Sequence, residues 1–446
     1  MKIVEFPPRP QWAEILARPQ METRNLEQTV SEILEDVRIN GDEAVKQYTT
    51  LFDKAELDRL DVSPEEFEAA KAFVSPELKQ AIETARQNIF RFHEAQKTEE
   101  LEVETMPGVK CWQRSLPIEK VGLYVPGGTA PLFSTVLMLG IRRPIAGCKE
   151  IVLCSPPGAN GQIHPAIRYA AQAIGITRVF KVGGVQAIGA MAFGTETIPQ
   201  VYKIFGPGNQ FVTAAKQLVS RQGTAIDMPA GPSEVLVCAD HTAVPGFVAS
   251  DLLSQAEHGA DSQVVLIAFD KQMIQNVQAE IEAQLQTLPR QAIARQALSH
   301  SVAILARDKE EAIDLINAYA PEHLILALED AGQVARRIAN AGSVFLGNYT
   351  PESVGDYASG TNHTLPTYGF ARAFSGVTLD AFQKKITFQQ LTREGLELLG
   401  PTVETMAEAE ELEAHKLAVR IRLQSISSSL TSNPSPAAEL KKTNNF

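Results

Sequence analysis

The chain is poor in cysteine, short of positive charge and without a long apolar run, and each shortage removes a class of function. Its 446 residues hold only four cysteines, Cys111, Cys148, Cys154 and Cys238, with no CxxC spacing. Neither a disulfide framework nor a cysteine zinc site is therefore indicated. Cys154 and Cys238 end strand-like runs, where a buried thiol is the expectation ahead of a nucleophile. Lys and Arg total 41 against 53 Asp and Glu, a net charge of −12. Nucleic acid and anionic membrane both require a basic face, so neither is expected as a partner and a small-molecule substrate becomes the default. No apolar run reaches the roughly 18 to 20 residues of a membrane span. Residues 1–8 lack the apolar core of a signal peptide, so a cytoplasmic protein is expected. A Walker A sequence is missing too, and Gly206-Pro207-Gly208-Asn209-Gln210-Phe211 ends in Phe where a dinucleotide fingerprint has Gly or Ala.

What is present reads as a long α/β protein. Its length predicts two or more domains, and 44% hydrophobic with 21% charged residues fits a globular chain. From residue 26 to about 96 the apolar spacing is helical, and Ser63-Pro64-Glu65-Glu66 resembles a capping box. Between 121 and 240, short β-rich runs at 121–125, 151–154 and 179–182 alternate with helical stretches such as 165–174, the rhythm of βαβ units. A second alternating set follows, with a helix near 247–258 and strands at 264–267, 302–305 and 343–346. The predicted fold is thus α/β, with two incomplete Rossmann-like parallel-sheet domains and helical N- and C-terminal extensions. Residues 1–25 form an N-terminal segment; 26–120 with 234–377 form a discontinuous first domain; 121–233 form the second. Residues 378–424 are expected to be helical and 425–446, rich in Ser, Asn and Pro, disordered.

Three Gly/Pro-rich turns follow predicted strands: Pro126-Gly127-Gly128-Thr129, Gly183-Gly184-Val185-Gln186 and Gly206-Pro207-Gly208-Asn209. Loops at the carboxyl ends of parallel strands suit a dinucleotide, although each taken alone is more often a plain turn. Pattern alone leaves the cofactor open.

Glu322-His323, just before the apolar run 324–328, sets a carboxyl group beside an imidazole, which is equipment for proton transfer; the bland alternative is a surface cap or turn. Of eight histidines, four fall in polar, Gly- or Glu-flanked settings: His258, His323, His363 and His415. Gln255 and His258 are three apart on a helix that Gly259 could end, so they would share a face. With Asp356 and His415 they would make an N/O set suited to Zn²⁺ or a similar divalent ion. The alternative is a satisfied core histidine at His258 and a solvated helix face at His415. The region carrying His415 looks too small for its own core, so docking on a second subunit, as a dimer with a shared site, is plausible.

Together these segments resemble histidinol dehydrogenase. The likeness runs through Gly122-Leu123-Tyr124-Val125-Pro126-Gly127-Gly128, Lys203 to Asn209, Ile226 to Glu234, Asp251 to Gly259, Pro321-Glu322-His323-Leu324 and Gly355 to His363, within residues 20 to 424. The resemblance implies oxidation of L-histidinol through L-histidinaldehyde to L-histidine by a homodimer with NAD and one Zn²⁺ per subunit. It implies Gln255, His258, Asp356 and His415 as zinc ligands that also meet the substrate, joined there by Ser233, Glu322, His363 and Glu410. Tyr124, Gln186 and Asn209 would contact NAD, and Glu322 and His323 would be catalytic. Helix spacing places Glu411 rather than Glu410 four residues before His415, so Glu411 is the fallback. Two other readings compete: a non-catalytic relative that keeps the fold for binding, and a zinc/NAD dehydrogenase of another amino alcohol or polyol.

Overall fold

A computed structural model describes residues 1–19, 24–127 and 131–431. The chain divides into two units, one comprising Met1–Lys97 and Pro117–Gln383, the other Thr98–Leu116 and the chain from Lys384 onward.

The first unit holds two parallel sheets. In one, the strands Lys2–Glu5, Val302–Leu305, Gln263–Ala268, Glu234–Ala239, His323–Ala327 and Ser343–Leu346 lie side by side in that order. Its three central strands are buried along their whole length, as parallel strands covered on both faces must be. The two-residue period sorts their side chains. Val235 and Val237 join the core under the helices Pro245–Ala256 and Lys271–Leu285, while Leu236 and Cys238 join the opposite core with Trp12 and the helix Lys309–Tyr319. The other sheet has the order Val179–Lys181, Glu150–Ser155, Lys120–Tyr124, Lys203–Phe205, Ala225–Ile226, again all parallel. Val121, Leu123 and Leu153 face one core, and Tyr124, Val152 and Cys154 the other.

The expected α/β class with two parallel sheets is thus observed. The predicted capping box is also present: Ser63 Oγ accepts from the Glu66 N–H at 3.3 Å, and Glu66 Oε2 accepts from the Ser63 N–H at 2.8 Å. Residues 1–25, expected only as a terminal segment, supply the edge strand Lys2–Glu5.

The second unit corrects the expectation of helix throughout 378–424. Gln383–Leu391 is a strand, in a three-stranded sheet with the antiparallel pair Leu101–Met106 and Val109–Pro117. Its mostly polar sequence hides the alternation, but Phe388 stacks on Trp112 with ring centroids 5.3 Å apart, the kind of aromatic contact that fixes a strand pair. The helices Arg393–Ala409 and Glu413–Thr431 follow. Residues 425–431, expected within a disordered tail, are helical, and the remainder of that tail lies outside the described residues. No helix among the described residues is long and apolar enough to cross a membrane.

Candidate active site

His323 is the first residue of the strand His323–Ala327, with Val235 and Ser343 as register neighbours. The preceding helix stops at Ala320, whose φ of 55° lies in the left-handed region, and Pro321 cannot continue it. Glu322 and His323 thereby enter the sheet buried, 6% and 3% exposed, and not as a surface cap. Open α/β sheets ordinarily use the carboxyl ends of their strands; this cluster sits at the amino ends.

Glu234 opens the adjacent strand and holds both residues through its backbone. Its N–H donates to Glu322 Oε2 at 2.8 Å, and its carbonyl oxygen lies 3.1 Å from His323 Nδ1. Glu322 Oε2 is 3.6 Å from that same Nδ1, and Gln255 Nε2 is 3.1 Å from it. One ring nitrogen cannot serve both neighbours in the same way: it accepts from Gln255 or donates to Glu234. On the other side of the ring, His323 Nε2 faces Asp356 Oδ1 at 3.3 Å.

The Glu234 side chain is itself anchored by Arg18, which donates to both carboxylate oxygens, the Nη2 contact being 2.8 Å. The Tyr368 N–H adds a third bond at 2.7 Å. Behind Gln255, Ser254 Oγ donates to Glu352 Oε1 at 2.5 Å. His363 is fixed between the Asp356 carbonyl, 2.9 Å from Nδ1, and Thr135 Oγ1, 3.1 Å from Nε2. Glu234, Arg18 and Glu352 carried no assigned role in the sequence. An acid opening a wholly apolar, buried strand was the available signal for Glu234; Arg18 offered none.

The electrostatics follow from crowding charges away from water. Burial pushes the Glu322 carboxyl well above its usual range, His323 opposing that rise. Burial works against a charged His323, yet the carboxylates of Glu322, Asp356 and Glu352 outweigh it and raise its pKa. Burial would also raise Asp356, but His323, with help from His363 and His258, keeps it below the ordinary carboxylate range. A buried base with its acid partner in a shared field can accept and return a proton.

The helix Pro245–Ala256 ends before His258, so Gln255 and His258 do not share a helix face as expected, and Gly259 is not its left-handed cap. A turn keeps the two close instead, with the His258 N–H donating to the Gln255 carbonyl at 3.1 Å. Gln255 Oε1 and Asp356 Oδ1 are buried oxygens without a hydrogen-bond partner, an arrangement that fits a cation. No group of three or more His, Cys, Asp and Glu disposed for a metal occurs among the described residues, and the fourth expected ligand, His415, belongs to the second unit. There, Glu410 caps the helix Arg393–Ala409 and Glu411 has a left-handed φ of 60°. Glu411 and His415 therefore do not lie on one continuous helix, and the spacing argument that favoured Glu411 lapses. Ser233 directly precedes Glu234, and its carbonyl accepts from the Gln263 N–H at 3.2 Å.

The expected dinucleotide loops surround a cavity of about 1050 Å³ lined by Tyr124, Gly127, Gly184 and Asn209, among others. Gly128 and Thr129 of the first loop lie outside the described residues. Gly206 has a φ of 133°, and a Cβ there would stand 2.0 Å from the Tyr124 carbonyl oxygen, so only glycine fits. Tyr124 OH accepts from the Gly184 N–H at 3.1 Å. Asn209 Oδ1 caps the helix Gln210–Ser220 by accepting from Phe211 and Val212, each at 3.1 Å. Gln186 is fully buried rather than on the cavity wall, and both of its amide atoms lack partners.

Comparison with known proteins agrees with these features. A family model described as histidinol dehydrogenase matches residues 16–423. Histidinol dehydrogenase from Bacteroides fragilis is 59% identical over 426 residues, spanning 96% of this chain and all of that one. The Escherichia coli K12 enzyme is 53% identical over 419 residues, spanning 93% and 96%. The crystal structure of histidinol dehydrogenase from Elizabethkingia anophelis superposes with a TM-score of 0.94 at 56% identity, spanning 96% of this chain and 99% of that one. The chain belongs to the histidinol dehydrogenase family, oxidoreductases of histidine biosynthesis.

Proposed function

We propose that this chain carries out the NAD-dependent, four-electron oxidation of L-histidinol, through L-histidinaldehyde, to L-histidine at one zinc-containing site. The reading is supported above all by the convergence of Gln255, the pair Glu322-His323 and Asp356, from three segments distant in sequence, on one buried locus.

His323 acts as the base that takes the alcohol proton in the first oxidation. The role requires the neutral ring, with Nδ1–H donating to the Glu234 carbonyl and the lone pair on Nε2 beside Asp356, so the carboxylates that favour the charged ring must be offset, as a cation held by Asp356 would offset them. In the second oxidation Glu322 activates the water that adds to the aldehyde, and His323 again accepts a proton. A carboxyl group whose pKa is raised by burial is poised to exchange protons close to neutrality. Ser233, His363 and Glu410 orient the substrate.

Gln255, His258, Asp356 and His415 are the residues that would hold zinc, and the orphaned oxygens of Gln255 and Asp356 fit that assignment. Bound there, zinc would supply an orienting template for the substrate's nitrogen donors, and NAD would supply the hydride acceptor. Tyr124, Gln186 and Asn209 are assigned to the dinucleotide. Glu410 and His415 are contributed by a second copy of the chain in a homodimer, and the enzyme works in the cytoplasm. The test is histidinol-dependent NADH formation before and after chelation. Activity should vanish with the metal and return with Zn²⁺; full turnover in a verified metal-free sample refutes the zinc assignment.

A further inference from the structure

The cavity at the carboxyl ends of the five-stranded sheet has a second wall, built from the helical region that precedes the sheet in sequence. Asp53 lies there, at the end of the short helix Thr49–Asp53, and Lys54 then turns the chain with a φ of 58°. Asp53 is the one carboxylate among the cavity's described lining residues. Its Oδ2 is buried and has no hydrogen-bond partner. Leaving a buried carboxylate oxygen unpaired costs free energy, so a carboxylate on the cavity wall that carries one is an acceptor awaiting a donor. Burial pushes this carboxyl up to about 6, which still leaves it mostly ionised at neutral pH, and its charge acts on the Tyr124 hydroxyl across the same space.

The surroundings say which donor fits. Phe52, 53% exposed, and Phe73, 75% exposed, also line this cavity and offer rings on which a purine can stack. Arg168 is the one strong cation among the described lining residues, but its terminal nitrogens are engaged: Nη1 donates to the Glu66 carbonyl at 2.8 Å and Nη2 to Gln162 Oε1 at 3.2 Å. Among the described lining residues no guanidinium with both terminal nitrogens unengaged is offered to an added phosphate. A ribose diol brings two O–H donors, whereas a ribose 2′-phosphate brings only acceptors and nearly two negative charges.

We propose that Asp53 is a specificity-determining residue that accepts hydrogen bonds from the adenosine ribose hydroxyls of NAD and repels the 2′-phosphate of NADP. This rests on the assignment of the cavity to NAD made above. A Rossmann domain draws the corresponding acid from within its own sheet unit; here it comes from a helix outside the sheet.

The test is equilibrium calorimetry on the full-length chain, without substrate turnover, using NAD, NADP and NAD lacking the adenosine 2′-hydroxyl. The unmodified chain should prefer NAD to NADP strongly and lose about tenfold in affinity with the deoxy compound, the scale of one charge-assisted hydrogen bond. Asp53→Asn should bind NAD about tenfold more weakly, narrow the NAD-to-NADP ratio by at least about tenfold, and discriminate less against the deoxy compound. Thermal unfolding checks that the variant is folded; if it is not, Asp53→Ser is read in the same way. An unchanged NAD-to-NADP ratio in a folded variant overturns the role of Asp53 alone. Failure of the unmodified chain to bind either dinucleotide overturns the NAD assignment and this inference with it.

Discussion

Glu234 and Glu322 are joined by a hydrogen bond from the backbone of one to the side chain of the other, the Glu234 N–H donating to Glu322 Oε2 at 2.8 Å. The acid of the proposed catalytic pair is thus positioned by the first peptide group of a neighbouring strand, and that strand end is in turn anchored by Arg18.

Arg18→Ala should therefore disturb both stability and chemistry. Removing the guanidinium leaves a buried Glu234 carboxylate, 1% exposed, with no cation and only backbone groups such as the Tyr368 N–H to compensate it. Breaking a buried pair in this way costs about 3 to 5 kcal/mol, to be read from urea unfolding. Turnover by the folded variant should fall more than its affinity for histidinol, since the loss is one of alignment. A variant as stable as the unmodified chain would contradict this.

Glu322→Gln and His323→Asn separate the two oxidations. His323→Asn should depress both steps, and Glu322→Gln mainly the second, each by about 100-fold or more, the usual weight of a positioned acid or base. Presteady-state measurements with histidinol and with histidinaldehyde distinguish them. Equal rates of histidinaldehyde oxidation in Glu322→Gln and the unmodified chain remove Glu322 from the mechanism.

Much of this architecture was legible in the sequence. The runs at 151–154, 302–305 and 343–346 are dense in β-branched and aliphatic residues because their strands pack in parallel sheets, and the Glu322-His323 pair stands out by chemistry alone. What was hidden is long-range or against the local grain. Arg18 meets Glu234 across 216 positions, a relationship no local period encodes. The strand Gln383–Leu391 is largely polar and exposed, so its pairing does not show in its pattern. Glu411 adopts a left-handed conformation that its residue type does not announce, and the helix drawn through it was wrong.

The pH dependence of stability should report on His93. Its Nε2 lies 2.6 Å from Arg142 Nη2, its Nδ1 is 3.1 Å from Gln96 Oε1, and it is 1% exposed. Burial first, and then the Arg142 charge, pushes its pKa from 6.5 down to about 4. As pH falls, the unfolded chain takes up the proton first, so stability is fully present above about 6.5 and is lost on the way down to about 4. The loss should be about 2 kcal/mol once solvent screening is allowed for. Urea midpoints for His93→Gln should fall less steeply over this interval; an identical slope would show that His93 is not the titrating group.

The cysteines should prove dispensable for chemistry. Burial pushes the Cys238 thiol up to about 12 and Cys154 higher still, so neither supplies a thiolate near neutral pH. Replacing each of the four by Ala should reduce stability by about 1 kcal/mol at the buried positions and leave turnover intact. Complete loss of turnover at any one of them would reopen a thiohemiacetal route.

The most direct measurement of the central claim is the stoichiometry of NADH formed from L-histidinol by the full-length chain, repeated in His323→Asn. Two NADH per histidinol, with L-histidine as the product and both steps suppressed in the variant, is the predicted result. One NADH per histidinol, or undiminished turnover in His323→Asn, would contradict it.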